Sequence, residues 1–169
     1  MFQLLPQAWR LTLPVEQQEW VGRALFKRTA SGPAVLNDTR MWWYPPGARP
    51  IYTQPPATAH PFLQRPFFLW LPYRTWAYHF RCPACEGKLA GAGWYKTVRR
   101  VCDRNGWYFM ATEYMECSSC HKKVVSWSQG ILDQLDIAHR EQFPAVLTYK
   151  QDILRCFETA MQQIMFSLL

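Results

Sequence analysis

Two pairs of closely spaced cysteines are the residues of this chain with the clearest capacity for chemistry. Residues 82–85 and 117–120 each follow the pattern C-x-x-C. Six cysteines in 169 positions would produce about 0.2 such pairs by chance, so two pairs indicate a common site. Zn²⁺ prefers four thiolate or imidazole ligands in a tetrahedron, and two loops that each present two thiolates satisfy this geometry. The spacing therefore predicts one structural zinc site, formed by Cys82, Cys85, Cys117 and Cys120.

The long interval between the two cysteine pairs is compatible with this site. It contains 31 residues, whereas the common template has roughly 15 to 20. Closing the longer loop costs roughly 3 kcal/mol, and a structural zinc contributes an apparent binding free energy of roughly 10 to 16 kcal/mol in small peptides. Zinc binding therefore outweighs loop closure. Gly87 follows the first pair, where a zinc-binding turn often needs a glycine.

Other roles for the cysteines have less support in the surrounding sequence. A redox C-x-x-C motif needs a helix that starts at the motif, and residues 86–93 are poor in helix-forming side chains. A disulfide framework is typical of secreted proteins. A catalytic zinc usually keeps an open position and often uses histidine. His121, directly after Cys120, could replace one sulfur, but we expect both His121 and His79 to be surface or packing residues. We expect Cys102 and Cys156 to be ordinary apolar residues outside the site.

The sequence contains no recognisable catalytic motif. It lacks a glycine-rich phosphate loop, a G-x-S-x-G motif and an H-E-x-x-H motif. The carboxylates form no pair that suggests acid–base chemistry, and Asp133 and Asp136 are more typical of the start of a helix. We therefore expect a non-catalytic protein without a small-molecule substrate.

Basic residues gather around the cysteines. The chain has 19 Lys and Arg against 12 Asp and Glu, a net charge of +7, and this balance favours acidic partners. Nine of the basic residues but only four acidic ones lie in residues 74–123. The predicted partner is nucleic acid, with Trp94 or Trp107 as residues on which bases could stack. The candidate phosphate contacts are Arg81, Lys96, Arg99, Arg100, Arg104, Lys122 and Lys123.

Two alternatives to this nucleic-acid interpretation stay open. The basic residues could simply form a solvated face of a sheet, and Arg99 and Arg100 should point to opposite sides of a strand, so at most one belongs to a single patch. The second hypothesis is a structural or protein-interaction module in which zinc replaces a missing core. Binding that weakens steeply with salt would distinguish the first hypothesis from the second.

Several secondary-structure elements can be predicted around the cysteines. Residues 96–103 and 107–116 are rich in β-branched and aromatic side chains and flank Asn105-Gly106, which predicts a β-hairpin. Residues 122–127 can supply a third strand. The apolar spacing predicts helices over residues 13–26, 136–143 and 151–169.

A proline-rich segment separates the first helix from the cysteines. Residues 39–73 hold eight of the thirteen prolines and no acidic residue, which predicts extended or polyproline II backbone in an aromatic strap. We expect an α+β fold: a small antiparallel zinc ribbon flanked by helices and by this Pro/aromatic-rich arm. The predicted organisation is a helical segment (1–38), the strap (39–76), the zinc ribbon (77–129) and a C-terminal helical segment (130–169).

The composition also limits the class of protein. Apolar residues make up 49% of the chain and charged residues 18%, which is unlike a disordered chain. No apolar run approaches the roughly 18 residues of a membrane span, and residues 1–10 lack the features of a secretory leader. We therefore expect an intracellular protein without membrane contact, and a nuclear rather than a cytoplasmic one.

The order of these motifs resembles a known group of proteins. Aromatic-proline stretches at 41–46 and 67–72 precede the first cysteine pair, and Gly106-Trp107-Tyr108 precedes the second pair. Residues 131–135 and 143–148 complete the order. The arrangement resembles a domain-of-unknown-function family abundant in fish proteins and is similar to the cysteine-cluster modules of KDZ-type transposases. The resemblance implies a zinc module derived from a mobile element. Residues 151–169 depart from the pattern of these proteins, from which we expect a truncated or alternatively spliced product.

Overall fold

The computed structural model describes residues 4–29, 32–35, 40–47, 59–103, 106–147 and 152–154. Within these ranges the chain forms six helices and ten strands. The helices are α1 (Gln7–Thr12), α2 (Val15–Leu25), α3 (His60–Leu63), α4 (Pro72–Thr75), α5 (Gln129–Leu132) and α6 (Ile137–Arg140). The strands are β1 (Phe26–Thr29), β2 (Gly32–Val35), β3 (Trp42–Trp43), β4 (Phe67–Trp70), β5 (Leu89–Trp94), β6 (Arg99–Asp103), β7 (Gly106–Cys117), β8 (Lys123–Val125), β9 (Ala145–Leu147) and β10 (Asp152–Leu154).

Strand β7 organises the whole sheet. Its first half lies between β4, which runs parallel to it, and β6, which runs antiparallel. Its second half lies between β5 and β8, both antiparallel. The strand order is β3-β4-β7-β6-β10-β9, with β5 and β8 paired to the far end of β7, while β1 and β2 form a separate hairpin. The fold is therefore mixed α/β with a mostly antiparallel sheet.

Each face of the sheet is covered by its own hydrophobic cluster. On one face, Phe67 and Leu69 pack with the helix residues Trp9, Val21 and Leu25. On the other face, Phe68 and Trp70 of the same strand pack in the cluster that contains residues of β5, of the second half of β7 and of helix α5. All four residues of β4 are buried, which is why this strand is a continuous apolar run instead of an alternating one.

Three predicted elements are confirmed. Helix α2 occupies Val15–Leu25, within the predicted range, and begins directly after Pro14. Strands β6 and β7 pair in register from Asp103↔Gly106 to Arg99↔Met110, which is the expected hairpin; residues 104–105 of its turn lie outside the described ranges. The predicted third strand is present as β8.

Other predictions differ from the structure. The predicted strap contains β4, which is inserted between β3 and β7 because its apolar side chains can be buried on both faces. The helix predicted over 136–143 is only one turn, capped by Asp136, whose side chain accepts from the backbone N–H of His139. Strand β5 was not predicted.

The helix predicted over residues 151–169 is not formed where the structure describes it. Asp152–Leu154 is strand β10, which pairs with β6 and β9. The open backbone edge of β6 offers hydrogen bonds that outweigh a local helical pattern. The remaining residues of that prediction lie outside the described ranges. Among the described helices, none has the length and apolar character needed to cross a bilayer.

Candidate metal centre

The first cysteine pair lies in a tight turn that leads into β5. The backbone N–H of Cys82 donates to the carbonyl of Gly87 at 2.8 Å, and the N–H of Glu86 donates to the carbonyl of Cys82, also at 2.8 Å. Glu86 has a φ of 59°, in the left-handed region. These bonds curl the chain around Cys85, so both sulfurs are presented on the same side of the turn.

The second cysteine pair repeats this turn at the end of β7. The N–H of Cys117 donates to the carbonyl of Lys122 at 3.1 Å, and the N–H of His121 donates to the carbonyl of Cys117 at 3.1 Å. His121, at the position equivalent to Glu86, also has a left-handed φ of 55°. In both turns the first cysteine is buried and the second is closer to solvent. The two turns are therefore copies of one structure.

Strands β5 and β7 hold the two turns against each other. Leu89 of β5 pairs with Cys117 of β7, and the N–H of Ser118 donates to the carbonyl of Lys88 at 3.0 Å. A side chain at Gly87 would place its Cβ 2.6 Å from Ser119 Oγ and 2.8 Å from Cys117 Sγ. Gly87 is thus needed for close approach of the second turn, whereas the left-handed backbone falls on Glu86.

All four sulfur atoms converge on one point. They lie within 4.8 Å of one another, with Cys82 Sγ 3.7 Å from Cys120 Sγ and Cys85 Sγ 3.4 Å from Cys117 Sγ. These distances are too long for disulfide bonds of about 2.05 Å. They are close to the edge of about 3.8 Å expected for a tetrahedron with roughly 2.3 Å arms from metal to sulfur. The cluster could hold a metal ion.

Backbone N–H groups favour the thiolate form of the two buried cysteines, Cys82 and Cys117. The backbone N–H groups of Cys120 and Ser119 lower the pKa of Cys117 to about 6. Those of Ala84 and Cys85 lower the pKa of Cys82 in the same way. A thiolate that already accepts N–H hydrogen bonds is a ready metal ligand.

Cys85 behaves differently from the two buried cysteines. The N–H of Gly87 acts to lower its pKa, but the neighbouring sulfurs of Cys117 and Cys120 outweigh this effect and raise it to about 12. Several thiolates at this distance repel one another, and a divalent cation at their centre removes that repulsion. The donor set therefore fits a cation that prefers sulfur.

The histidines near the cysteines are not part of the cluster. His121 is exposed and faces Glu116, with Nδ1 3.7 Å from Oε1. His79 is also exposed. Among the described residues, the group of metal-ligating side chains that converges consists of the four cysteines. Cys102 lies in β6, half-buried and free of disulfides, and Cys156 falls outside the described ranges.

The structure distributes the candidate nucleic-acid contacts over several surfaces. Lys122 is exposed next to the cluster, and Lys123 lies 3.6 Å from a carboxylate oxygen of Glu116. Arg99 lies over the ring of Trp127, whereas Arg100 lies over that of Trp107. Arg81 and Lys96 are exposed, and Arg104 is outside the described ranges. Arg99 and Arg100 thus face opposite sides of β6, so the described members of this set do not form one patch.

The two tryptophans named as stacking candidates differ in environment. Trp94 is packed edge-on against Trp9 and Phe26, whereas Trp107 is exposed at the start of β7. The left-handed backbone of Glu86 and His121 was not predicted from the sequence. The signal was present, because each residue directly follows the second cysteine of its pair.

The fold and the site define a class of protein: a mixed α/β domain with a four-cysteine cluster that could bind a metal. A family model described as a domain of unknown function (DUF6729) matches residues 9–163. The chain therefore belongs to the DUF6729 family. No curated protein and no solved structure matches the chain.

Proposed function

We propose that this domain is a non-catalytic module in which one Zn²⁺ is bound by Cys82, Cys85, Cys117 and Cys120. The observation that carries the proposal is the convergence of four sulfurs from two equivalent turns within 4.8 Å. Four thiolates fill the coordination sphere of zinc and leave no open position for substrate or water, which supports a structural role for the metal. In this proposal β5, β7 and β8 form a zinc ribbon.

Metal content and spectroscopy test the zinc site. The purified chain should contain one equivalent of zinc, and Co²⁺ in its place should show the absorption of a tetrahedral thiolate complex. Cys85→Ser should reduce the bound metal, because the partly exposed sulfur completes the coordination sphere. Cys102→Ser is the matched control and should keep full occupancy. Metal-free protein with a stable ribbon would contradict the proposal.

We further propose that the module binds nucleic acid. The excess of basic residues between positions 74 and 123 supports this proposal, as does the exposure of Arg81, Lys96 and Lys122. The resemblance to transposase-associated modules supports an origin from a mobile element and a nuclear location. A fluorescent fusion of the full chain that is excluded from the nucleus would contradict the proposed location.

Salt dependence tests the nucleic-acid proposal. The affinity for a DNA or RNA oligonucleotide should fall steeply between about 50 and 200 mM salt. Lys122→Gln combined with Lys123→Gln should weaken binding and flatten the salt dependence. Lys27→Gln, at an exposed lysine of β1, is the control. No binding at low salt would rule the proposal out.

A second candidate function is a structural or protein-interaction module. Glu116 favours it, because its carboxylate lies within 4.0 Å of both Lys123 and His121 and offsets positive charge beside the cluster. In that case removal of the metal should lower stability, and the affinity for nucleic acid should be absent at every salt concentration. Both candidates predict that removal of the metal lowers stability, so the affinity for nucleic acid is the measurement that separates them.

A further inference from the structure

An aromatic cleft lies at the end of the sheet away from the cysteine cluster. It has a volume of about 590 Å³ and is lined by residues that include Trp42, Tyr44, Arg65 and Trp107. It lies where the parallel strands β4 and β7 begin, since Pro66 and Gly106 also line it. A second lobe of about 480 Å³ continues past Tyr44 towards helix α2. Trp107 lines the cleft, whereas the exposed candidates Arg81, Lys96 and Lys122 do not.

The aromatic rings of the cleft combine a rigid base with exposed faces. Trp42 packs on Phe68 and Tyr108, with ring centroids 4.8 and 5.0 Å away. Tyr44 lies nearly parallel to Trp42, at an angle of 20° with centroids 6.3 Å apart, and is 68% exposed. Trp107 is 38% exposed. Exposed ring faces held by a packed framework are what a planar ligand needs for stacking.

The charge of the cleft is positive. Arg65 is exposed, and its Nη1 donates to the carbonyls of Phe62 and Gln64 at 3.5 and 3.1 Å, which leaves its charge without a carboxylate among the described residues. The guanidinium of Arg100 lies 4.6 Å from the ring centroid of Trp107. None of the described residues that line the first lobe, the one with Arg65 and Trp107, is acidic. The lobe therefore favours an anion beside its aromatic rings.

Buried hydrogen bonds hold Arg65 at the rim. The backbone N–H of Arg65 donates to Oε1 of Gln17 at 3.1 Å, and the same oxygen accepts from Trp20 Nε1 at 2.8 Å. Gln17 also donates to the carbonyl of Leu63 at 2.9 Å. Helix α2 thus fixes the backbone that carries the arginine, so the cleft is formed before a ligand arrives.

We propose that this cleft binds single-stranded nucleic acid, with bases stacked on Tyr44 and Trp107 and phosphates bound by Arg65 and Arg100. Unpaired bases expose the flat faces that stack on aromatic side chains, and arginine supplies the charge for the backbone. A proline-rich peptide also suits an aromatic groove, but it brings no anion for the two arginines. This proposal rests on the proposed nucleic-acid function and assigns it a specific surface.

Fluorescence anisotropy with the zinc-loaded full chain tests the cleft. Labelled oligo-dT and oligo-U should bind more tightly than a duplex of the same length. Tyr44→Ala should weaken binding by about 5- to 150-fold, the range expected for loss of one stacked base. Arg65→Gln should weaken it and reduce the salt dependence. Phe62→Ala, which removes a ring that is 54% exposed outside the cleft lining, is the matched control and should bind normally.

The other outcomes distinguish binding in the cleft from nucleic-acid binding elsewhere on the domain. Equal affinity for the duplex, or normal binding by Tyr44→Ala and Arg65→Gln, would overturn the cleft while leaving binding by the ribbon lysines intact. Binding of a proline-rich peptide that is lost in Tyr44→Ala, with no affinity for oligonucleotides, would overturn both. Circular dichroism of Tyr44→Ala should match the unchanged protein, because its side chain is mostly exposed.

Discussion

Gly87 shows how one residue controls the approach of two distant parts of the chain. Its φ is not positive, so its backbone conformation is open to other residues. The constraint is space, because Ser119 and Cys117 of the second turn lie where a Cβ would be placed. A larger residue at position 87 must therefore push the two turns apart. The sulfur atoms of the turns would move apart with them.

We therefore predict that Gly87→Ala destabilises the metal-loaded protein by about 1–3 kcal/mol, the usual cost of overpacking. The free energy of unfolding from denaturant titration measures this change. Gly47→Ala is the matched control, since no atom of the described residues lies within 4 Å of its added Cβ, and it should change the free energy by less than about 0.5 kcal/mol. Equal effects of the two substitutions would show that the turns have room to adjust.

Glu113 is a buried acidic residue of strand β7. Its side chain is fully buried, and Oε2 accepts from Arg74 Nε at 2.7 Å. Oε1 has no hydrogen-bond partner among the described residues. Burial raises the pKa of Glu113, and the charge of Arg74 opposes this effect only in part. The ionised form is therefore poorly accommodated.

This raised pKa sets the sign of a pH effect. Protonation favours the folded state, so its contribution is complete below the ordinary pKa of about 4.5 and is lost as the pH rises through the folded-state value. We predict that the stability of the unchanged protein, relative to Glu113→Gln, falls as the pH is raised from below this ordinary value to above it. Melting temperatures of both proteins across this range measure the difference. A difference between the two proteins that does not change with pH would refute the prediction.

At the scale of elements, β7 joins two parts of the fold. Residues up to Thr112 pair with β4, and residues from Glu113 pair with β5. Strand β5 has an irregular register between Gly91 and Trp94, and Gly93 has a φ of 90° there. Such a bulge bends a strand, which allows the ribbon to leave the plane of the main sheet.

Helix α2 is connected to the cleft through a buried side chain. Gln17 makes three hydrogen bonds, to Trp20, Leu63 and Arg65. Gln17→Leu adds an apolar surface but leaves these groups without partners, so we predict a loss of about 2–4 kcal/mol. Chemical denaturation measures it. Gln7→Leu, the same change at an exposed position of α1, should have little effect, and an equal loss there would point to the leucine itself as the cause.

At the scale of the whole molecule, the four-cysteine cluster and the helical layer belong to different hydrophobic cores. Cys82 and Cys117 belong to the cluster with Met115 and Trp127, whereas α1 and α2 belong to the other cluster. The main sheet separates the two. Loss of the metal should therefore act first on the ribbon.

We predict that a strong chelator increases hydrogen exchange in residues 89–94 and 123–125 before it affects residues 15–25. The reason is that β5 and β8 pair only with β7 among the described strands. Hydrogen exchange with mass spectrometry measures both segments in one experiment. Simultaneous loss of protection in the ribbon and in α2 would show that the two cores unfold as one unit.

The local patterns of the sequence predicted the local structure well. The spacing of the four cysteines predicted the cluster, Asn105-Gly106 predicted the β6–β7 hairpin, and helical periodicity predicted α2. Each of these depends on neighbours along the chain or on one repeated motif. Such local patterns can be read from the sequence without knowledge of the rest of the fold.

Long-range structure decided the rest. Phe67–Trp70 reads as an apolar run beside prolines, and only its insertion between β3 and β7 makes it a central strand. Residues 152–154 follow a helical pattern, yet the open edge of β6 pairs with them. The cleft likewise forms from segments around Tyr44, Arg65 and Trp107. The spacing of residues carries information about their neighbours, whereas burial on both faces and the pairing of strand edges depend on segments far away in the chain, which only the folded structure brings together.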